Sequence, residues 1–301
     1  MKKIITYICI FFLTCGMLEF PVAAKEEVVV WLDPGHGGYD GGASAEWFGD
    51  QVLEKDLNLT IAKYLKEELE TYQGIEVKMT RTDDTYVSLE KRTKMAQGAD
   101  ALISLHNNAS GAISDYDNGC TVLTSRGTYK KGLALEGKKL GSQILEELSL
   151  VGLENQGILQ RTSETGAKYP NGELADYYHI VKKGMDAGYM AIIVEHAFVD
   201  HGVDYKQYLR TDGALERLAK ADAMGIARYY GLHKKGQSKV LPRTNVKEKI
   251  TLVGHADGQQ SQITYETFYQ TDTARTEEGS HPEKKGLFEK VKSLIERFFT
   301  P

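Results

Sequence analysis

Short apolar, β-branched runs alternate with longer stretches of helical periodicity over residues 25–235. The candidate strands are the runs at 28–33, 75–80, 101–106, 120–124 and 191–196, several of them almost wholly apolar, as expected of strands covered on both faces. Between the first two, residues 54–72 place Leu57, Ile61, Leu65 and Leu69 at steps of four, which predicts a helix with one buried stripe. Further helical periods fall at about 88–98, 133–150, 173–184 and 213–230. This alternation predicts an α/β fold: a mostly parallel twisted sheet with helices on both faces, in one domain at 25–235 followed by a tail. No internal repeat is visible.

The two ends read differently. Lys2 and Lys3 precede an apolar stretch at 4–18, and Val22-Ala23-Ala24 supplies small residues before a charged segment, so residues 1–24 are expected to be an export signal. The stretch is shorter than the roughly 20 residues a spanning helix needs, which favours cleavage over a retained anchor or lipidation at Cys15. After residue 236 the composition turns polar. The pairs 250–253 and 263–269 have strand-like patterns, but the segment to 282 reads best as a linker with local structure. At 284–300, Leu287, Phe288, Val291, Leu294, Ile295, Phe298 and Phe299 share one helical face, with Lys284, Lys285, Lys290, Lys292 and Arg297 elsewhere. Two uses fit this basic amphipathic helix equally: docking on the main domain, or contact with a membrane surface or partner.

The overall composition, with 41% hydrophobic and 26% charged residues among 301, excludes a fibrous, wholly disordered or multi-span chain. A net charge of -5 gives no basic face for nucleic acid. Without Lys2, Lys3 and Glu19 the totals become 35 basic and 41 acidic residues, and the acidity concentrates in 25–235. Cys9 and Cys15 belong to the expected signal, so the exported chain keeps Cys120, in a run that reads as a buried strand, and has no disulfide scaffold.

Chemistry gathers where the strand runs end. The run 28–33 feeds Pro34-Gly35-His36-Gly37-Gly38, 101–105 ends at His106-Asn107-Asn108, and 191–194 ends at Glu195-His196. Glu54 opens the long helix. In an open α/β sheet these ends share one rim. Two imidazoles and a carboxylate form a three-ligand set for catalytic zinc with a fourth position for water, and a second carboxylate there can serve as general base. Taken singly, each residue has a structural reading: Glu54 as a helix-start acid, His36 in a glycine turn, His106 as a strand-end histidine, Glu195 as an ion-pair partner. His179, His233, His255 and His281 suit surface or packing roles. Neither an H-E-x-x-H helix nor a CxxC pair is present, and no Gly-Lys-Ser/Thr follows the glycines to make a phosphate loop.

Asp33-Pro34-Gly35-His36-Gly37-Gly38, Glu54-Lys55-Asp56-Leu57-Asn58-Leu59, Thr80-Arg81, Ser104-Leu105-His106-Asn107-Asn108-Ala109 and Val194-Glu195-His196-Ala197-Phe198 occur in the order and approximate spacing of a known family. Across about residues 28–232 the chain resembles zinc-dependent N-acetylmuramoyl-L-alanine amidases of the amidase_3 type. The resemblance implies a bacterial peptidoglycan hydrolase with His36, Glu54 and His106 as Zn2+ ligands and Glu195 as catalytic acid/base, and with the expected export signal it places the protein outside the cell, at the cell wall or the outer face of the membrane. It also leaves Asn107 and Asn108 as groove candidates, and Asp33 or Asp40 as supports for His36. Two departures stand out: Asn155-Gln156-Gly157 where the family commonly has Asn-Arg-Gly, and His201 where it has Asn. The competing readings are a zinc peptidase acting within the stem peptide and a non-catalytic peptidoglycan-binding module, the latter having no need of Glu195.

Overall fold

The computed structural model describes residues 27–111, 117–234, 236–239, 246–256 and 259–269. Strand β1 (Val28–Pro34) leads to a hairpin of β2 (Ser44–Trp47) and β3 (Asp50–Leu53), then α1 (Glu54–Leu69), β4 (Tyr72–Gln73), β5 (Ile75–Met79), α2 (Leu89–Met95) and β6 (Ala101–Asn108). The chain continues through β7 (Cys120–Leu123), α3 (Lys131–Leu150), β8 (Asn155–Arg161), α4 (His179–Ala187) and β9 (Met190–Phe198). The turn α5 (Gly202–Asp204) and a π-helical turn (Tyr205–Leu209) precede α6 (Asp212–Tyr230), β10 (His233–Lys234), β11 (Val246–Ala256) and β12 (Gln259–Tyr269).

An eight-stranded sheet has the order β12-β11-β8-β7-β9-β6-β1-β5. Its pairings are parallel except for β7 against β9 and β11 against β12. Because side chains alternate along a strand, Leu32, Leu105 and Val194 pack with Leu65, Leu140 and Leu218 of α1, α3 and α6. Their neighbours Trp31, Leu102 and Ile193 face the other way, against Ile180 and Val181 of α4. The expected α/β architecture with both faces covered is what forms.

Besides the short strands β2, β3, β4 and β10, which the sequence reading does not contain, three parts of the chain depart from it. The helix expected at 173–184 starts at His179, because the preceding segment is held by bridges Thr162↔Asp176 and Lys168↔Leu174 and by the Tyr169 hydroxyl donating to Asp176 at 2.7 Å. Strand β8 was not anticipated: it carries few apolar residues, and Gly157 takes φ +87 where a Cβ would collide with the Lys249 carbonyl. The largest departure concerns the tail. Strand β11 pairs with β8 from Ile250↔Ile158 to Val253↔Arg161 and turns back through β12, so the segment read as a linker adds two strands to the main sheet. Ile250 and Leu252 are buried in the main core, and Glu248, 4% exposed, accepts a hydrogen bond from Ser142 of α3 at 2.5 Å. A domain boundary at 235 therefore divides a continuous sheet. The expected signal at 1–24 and amphipathic helix at 284–300 lie outside the described residues. No helix among the described residues is long and apolar enough to cross a membrane.

Candidate metal centre

Strands β9, β6 and β1 are consecutive in the sheet, and their carboxyl ends bring Glu195, His106 and the His36 loop side by side. His106 and Glu195 are direct partners in the parallel ladder. Glu54 arrives from outside the sheet. The β2–β3 hairpin delivers it at the first position of α1, and its backbone N–H donates to the Ala43 carbonyl at 2.9 Å.

The three groups converge: one atom each from His36, Glu54 and His106 lie within 4.8 Å of one another. His36 Nε2 is 3.1 Å from Glu54 Oε2, and His106 Nδ1 is 2.9 Å from Glu54 Oε1. The Glu54 carboxylate also accepts from the backbone of Ala43 at 2.8 Å and Asn107 at 3.2 Å, and from Asn58 Nδ2 at 3.1 Å. Two glycines make room. A Cβ on Gly35 would enter the His106 ring, and one on Gly42, which has φ +69, would lie 2.5 Å from Glu54 Oε2 and 2.6 Å from His36 Cδ2. His36 itself takes the uncommon φ of 61°, a conformation that persists only where its surroundings impose it.

Protonation within the cluster follows from burial and proximity. Burial disfavours the Glu54 carboxylate, but hydrogen bonds from His106 and His36 outweigh it and hold the group well below the usual carboxylate range. Burial acts against charge on His106 as well, yet the contact with Glu54 raises it to about 9, and His36 is raised for the same reason. Glu195 moves the opposite way. Burial pushes it up to about 7 against the pull of His106, and its Oε2 is buried without a hydrogen-bond partner.

The donor set fits a divalent cation: two imidazole nitrogens and an ionised carboxylate, positioned by backbone donors and close enough to share one ion. His36 Nδ1–H donates to Asp40 Oδ1 at 2.9 Å, which fixes the tautomer and leaves Nε2 facing Glu54. Of the two expected supports for His36, then, Asp40 has the role. Asp33 is 1% exposed and accepts instead from Thr80, Ser104 and Arg92. Asn107 also differs from the groove expectation: it is buried, and its Nδ2 donates to Asn58 Oδ1 at 2.9 Å, behind Glu54.

The sequence reading assigned no role to the arginines that hold the His36 loop. Arg92 donates to the Pro34 and His36 carbonyls at 2.6 and 2.5 Å, while Arg81 donates to those of Pro34, Gly35 and Lys55. Behind His106, the fully buried His196 donates to its carbonyl at 3.0 Å and bonds Asp222 at 2.7 Å. The two departures from the family pattern find local partners. His201 caps α5 by accepting from the Asp204 N–H at 3.3 Å, and Gln156 bonds the Asn118 carbonyl at 3.1 Å and Lys249 at 3.2 Å.

A mostly parallel α/β sheet with a His/Glu/His cluster and a spare buried carboxyl group at its rim defines a class of site able to hold a metal ion beside an acid/base group. The chain belongs to the N-acetylmuramoyl-L-alanine amidase family, whose model matches residues 30–228. It is 30% identical over 210 residues to the N-acetylmuramoyl-L-alanine amidase CwlM of Bacillus licheniformis, covering 69% of this chain and 70% of that one. A shorter match of 91 residues, 30% of this chain and 29% of the other, is 53% identical to the probable cell wall amidase LytH of Staphylococcus aureus. Among solved structures, an N-acetylmuramoyl-L-alanine amidase from Clostridium difficile 630 superposes with a TM-score of 0.54 and 27% identity, over 68% of this chain and 97% of that one. The family and the fold implied by the five sequence blocks are thus both found.

Proposed function

We propose that this protein hydrolyses the amide between N-acetylmuramic acid and L-alanine in peptidoglycan, with Zn2+ held by His36, Glu54 and His106 and with Glu195 as acid/base. The observation that carries the reading is the convergence of the three ligand atoms within 4.8 Å on a strand end whose ladder partner is Glu195. Zinc bound there supplies a Lewis acid that makes water more acidic and polarises the lactyl carbonyl.

The residues of the chain do the rest. Glu195 takes a proton from the attacking water as the C–O bond forms, and returns it to the alanine nitrogen as the C–N bond breaks. A carboxyl group whose burial favours its protonated form, with Oε2 free of other partners, suits both directions of transfer. Asp40 holds the His36 ring in one tautomer, and Asn58 with the Asn107 and Ala43 N–H groups orients the Glu54 carboxylate. The products are a glycan without its peptide and a stem peptide with a new L-Ala amino terminus.

Lys2 and Lys3 ahead of an apolar stretch support residues 1–24 as a signal, and the cell wall relative and the substrate fit an exported protein working at the wall. The test is digestion of peptidoglycan by the purified zinc-loaded protein, read by mass spectrometry. Intact stem peptides ending in a free L-Ala amino group are expected. Fragments cut within the stem peptide support the peptidase reading instead, and zinc binding without any cleavage supports a binding module.

A further inference from the structure

Tyr39 and Tyr86 stand beside the metal centre with no role in it. Tyr39 is 84% exposed and Tyr86 39%, which for large aromatic side chains in a well-packed protein marks a surface prepared for contact. Their rings stack on each other, with centroids 4.3 Å apart at 28°. Stacked face to face, they leave the outer face of Tyr39 open, with Tyr86 backing the ring from behind. The exposed rings of Phe48 and Tyr177 differ, since the guanidinium groups of Arg210 and Arg161 lie over them at 4.4 and 3.9 Å.

The pair is fixed to the ligands by short connections. Tyr39 sits at the tip of a turn closed by Gly37 and Asp40, and Asp40 is the group that bonds His36. Lys55, next to Glu54, donates to the Gly38 carbonyl at 2.9 Å and to Asp84 at 2.7 Å, and Asp84 accepts from the Gly38 N–H at 2.8 Å. The two loops touch through their backbones: a Cβ on Gly38 would lie 2.9 Å from the Tyr86 nitrogen, and one on Gly37 2.5 Å from the Thr85 carbonyl oxygen. An exposed aromatic pair locked in this way loses little freedom when it binds.

Its place in the sheet says which part of a substrate it meets. Glu195, His106 and His36 lie at the ends of β9, β6 and β1, and the loop carrying Tyr86 follows β5, the next strand in that row. Glu195 and the tyrosines are therefore on opposite sides of the ligand cluster. The amine leaves from the side where Glu195 returns its proton, so the acyl half, with its sugar, lies toward the tyrosines. We propose that Tyr39, backed by Tyr86, forms a binding platform for a pyranose ring of the glycan strand, the apolar C–H face of the sugar stacking on the outer face of Tyr39 while the phenol hydroxyls meet its polar rim. This rests on the amidase reading for the direction of the substrate.

The test separates the two. Affinity for peptide-free oligomers of alternating N-acetylglucosamine and N-acetylmuramic acid is measured by calorimetry for the full zinc-loaded protein and for Tyr39→Ala, Tyr86→Ala and Tyr39→Phe. Each alanine variant is expected to bind about tenfold more weakly, and Tyr39→Phe, which keeps the ring, within about threefold of wild type. In parallel, the ratio of kcat/KM on a disaccharide-peptide to that on a lactyl-peptide lacking the sugar is expected to fall about tenfold in the alanine variants, through KM. Unchanged glycan affinity in both alanine variants overturns the platform. An equal loss on both substrates also overturns it, by placing the tyrosines against the peptide. If wild type cleaves neither substrate yet the variants lose glycan affinity, the amidase reading fails and the platform stands.

Discussion

Gly35→Ala tests whether the glycine before His36 is there to let a ligand sit where it does. Gly35 has no positive φ, so the substitution brings no backbone strain and acts only through its new methyl group. That carbon would enter the His106 ring and lie 2.7 Å from Nδ1, the nitrogen that meets Glu54. The nearest ring atom, Cε1, would lie at 2.2 Å, so restoring an ordinary contact of about 3.4 Å moves the ring by ~1.2 Å, whereas metal–ligand bonds tolerate about 0.2 Å. Zinc affinity should fall by about 100-fold, or ~2.7 kcal/mol. Competition against a chromophoric chelator measures it directly, with circular dichroism confirming that the variant folds. Gly41→Ala is the control, because its Cβ would meet only Leu53 Cδ2 at 3.7 Å. Affinity within about twofold of wild type in Gly35→Ala would refute the placement of His106 as a ligand.

Other outcomes follow from the same geometry. Asp40→Ala frees the His36 tautomer and should weaken zinc binding about 10- to 100-fold, with Asp40→Asn recovering part of the loss, as read by the same chelator competition. Asp222→Ala strands His196, which its buried contact with Asp222 keeps readily charged against the effect of burial, and should destabilise the protein by about 3–5 kcal/mol in urea; replacing both residues by leucine should cost less than that single change. Glu248→Ala removes the hairpin's buried hydrogen bond to Ser142 and is expected to lower stability by about 1–3 kcal/mol and speed amide exchange in β11 ahead of β9. The pH response should reverse sign with metal. In chelated protein, His106, raised from 6.5 to about 9, stabilises fully below about pH 6.5 and loses that contribution as pH rises through 9. Glu54, lowered from 4.5, stabilises above that pH and loses its contribution in stronger acid. The melting temperature of chelated protein should therefore be highest between these limits and decline toward pH 9. Zinc competes with protons for the same nitrogens, so the stabilisation it adds should grow over that rise.

Much of the site was legible because its residues close strand runs. His36, His106 and Glu195 each follow a mostly apolar strand run, and a parallel sheet brings such ends to one rim. Glu54 was legible as the first residue of a strongly periodic helix. Asp40, four residues after His36, was within reach of the sequence as one of two candidate supports, and Asn58 lies at the same spacing from Glu54, which could have pointed to it. Arg81, Arg92 and Asp222 lie far along the chain from the groups they hold, and no local pattern marks a partner on another element. The tail shows the same limit. Ile250 and Leu252 earn their burial only beside β8, itself a strand with few apolar residues, so neither half of the pairing predicts the other. Alternation shows that a segment suits a sheet, but the choice of edge depends on the finished core.

The central claim is that Glu195 moves the proton while His36, Glu54 and His106 hold the metal. Glu195→Gln separates these roles, because it keeps the side chain's shape and leaves all three ligands in place. Wild type and variant, each loaded with zinc and assayed for metal content, are given the same peptidoglycan, and new L-Ala amino termini are counted over time. Zinc content equal to wild type with release slowed by a factor of about 100 or more is the expected result. Release at the wild-type rate by a zinc-loaded Glu195→Gln protein would contradict it.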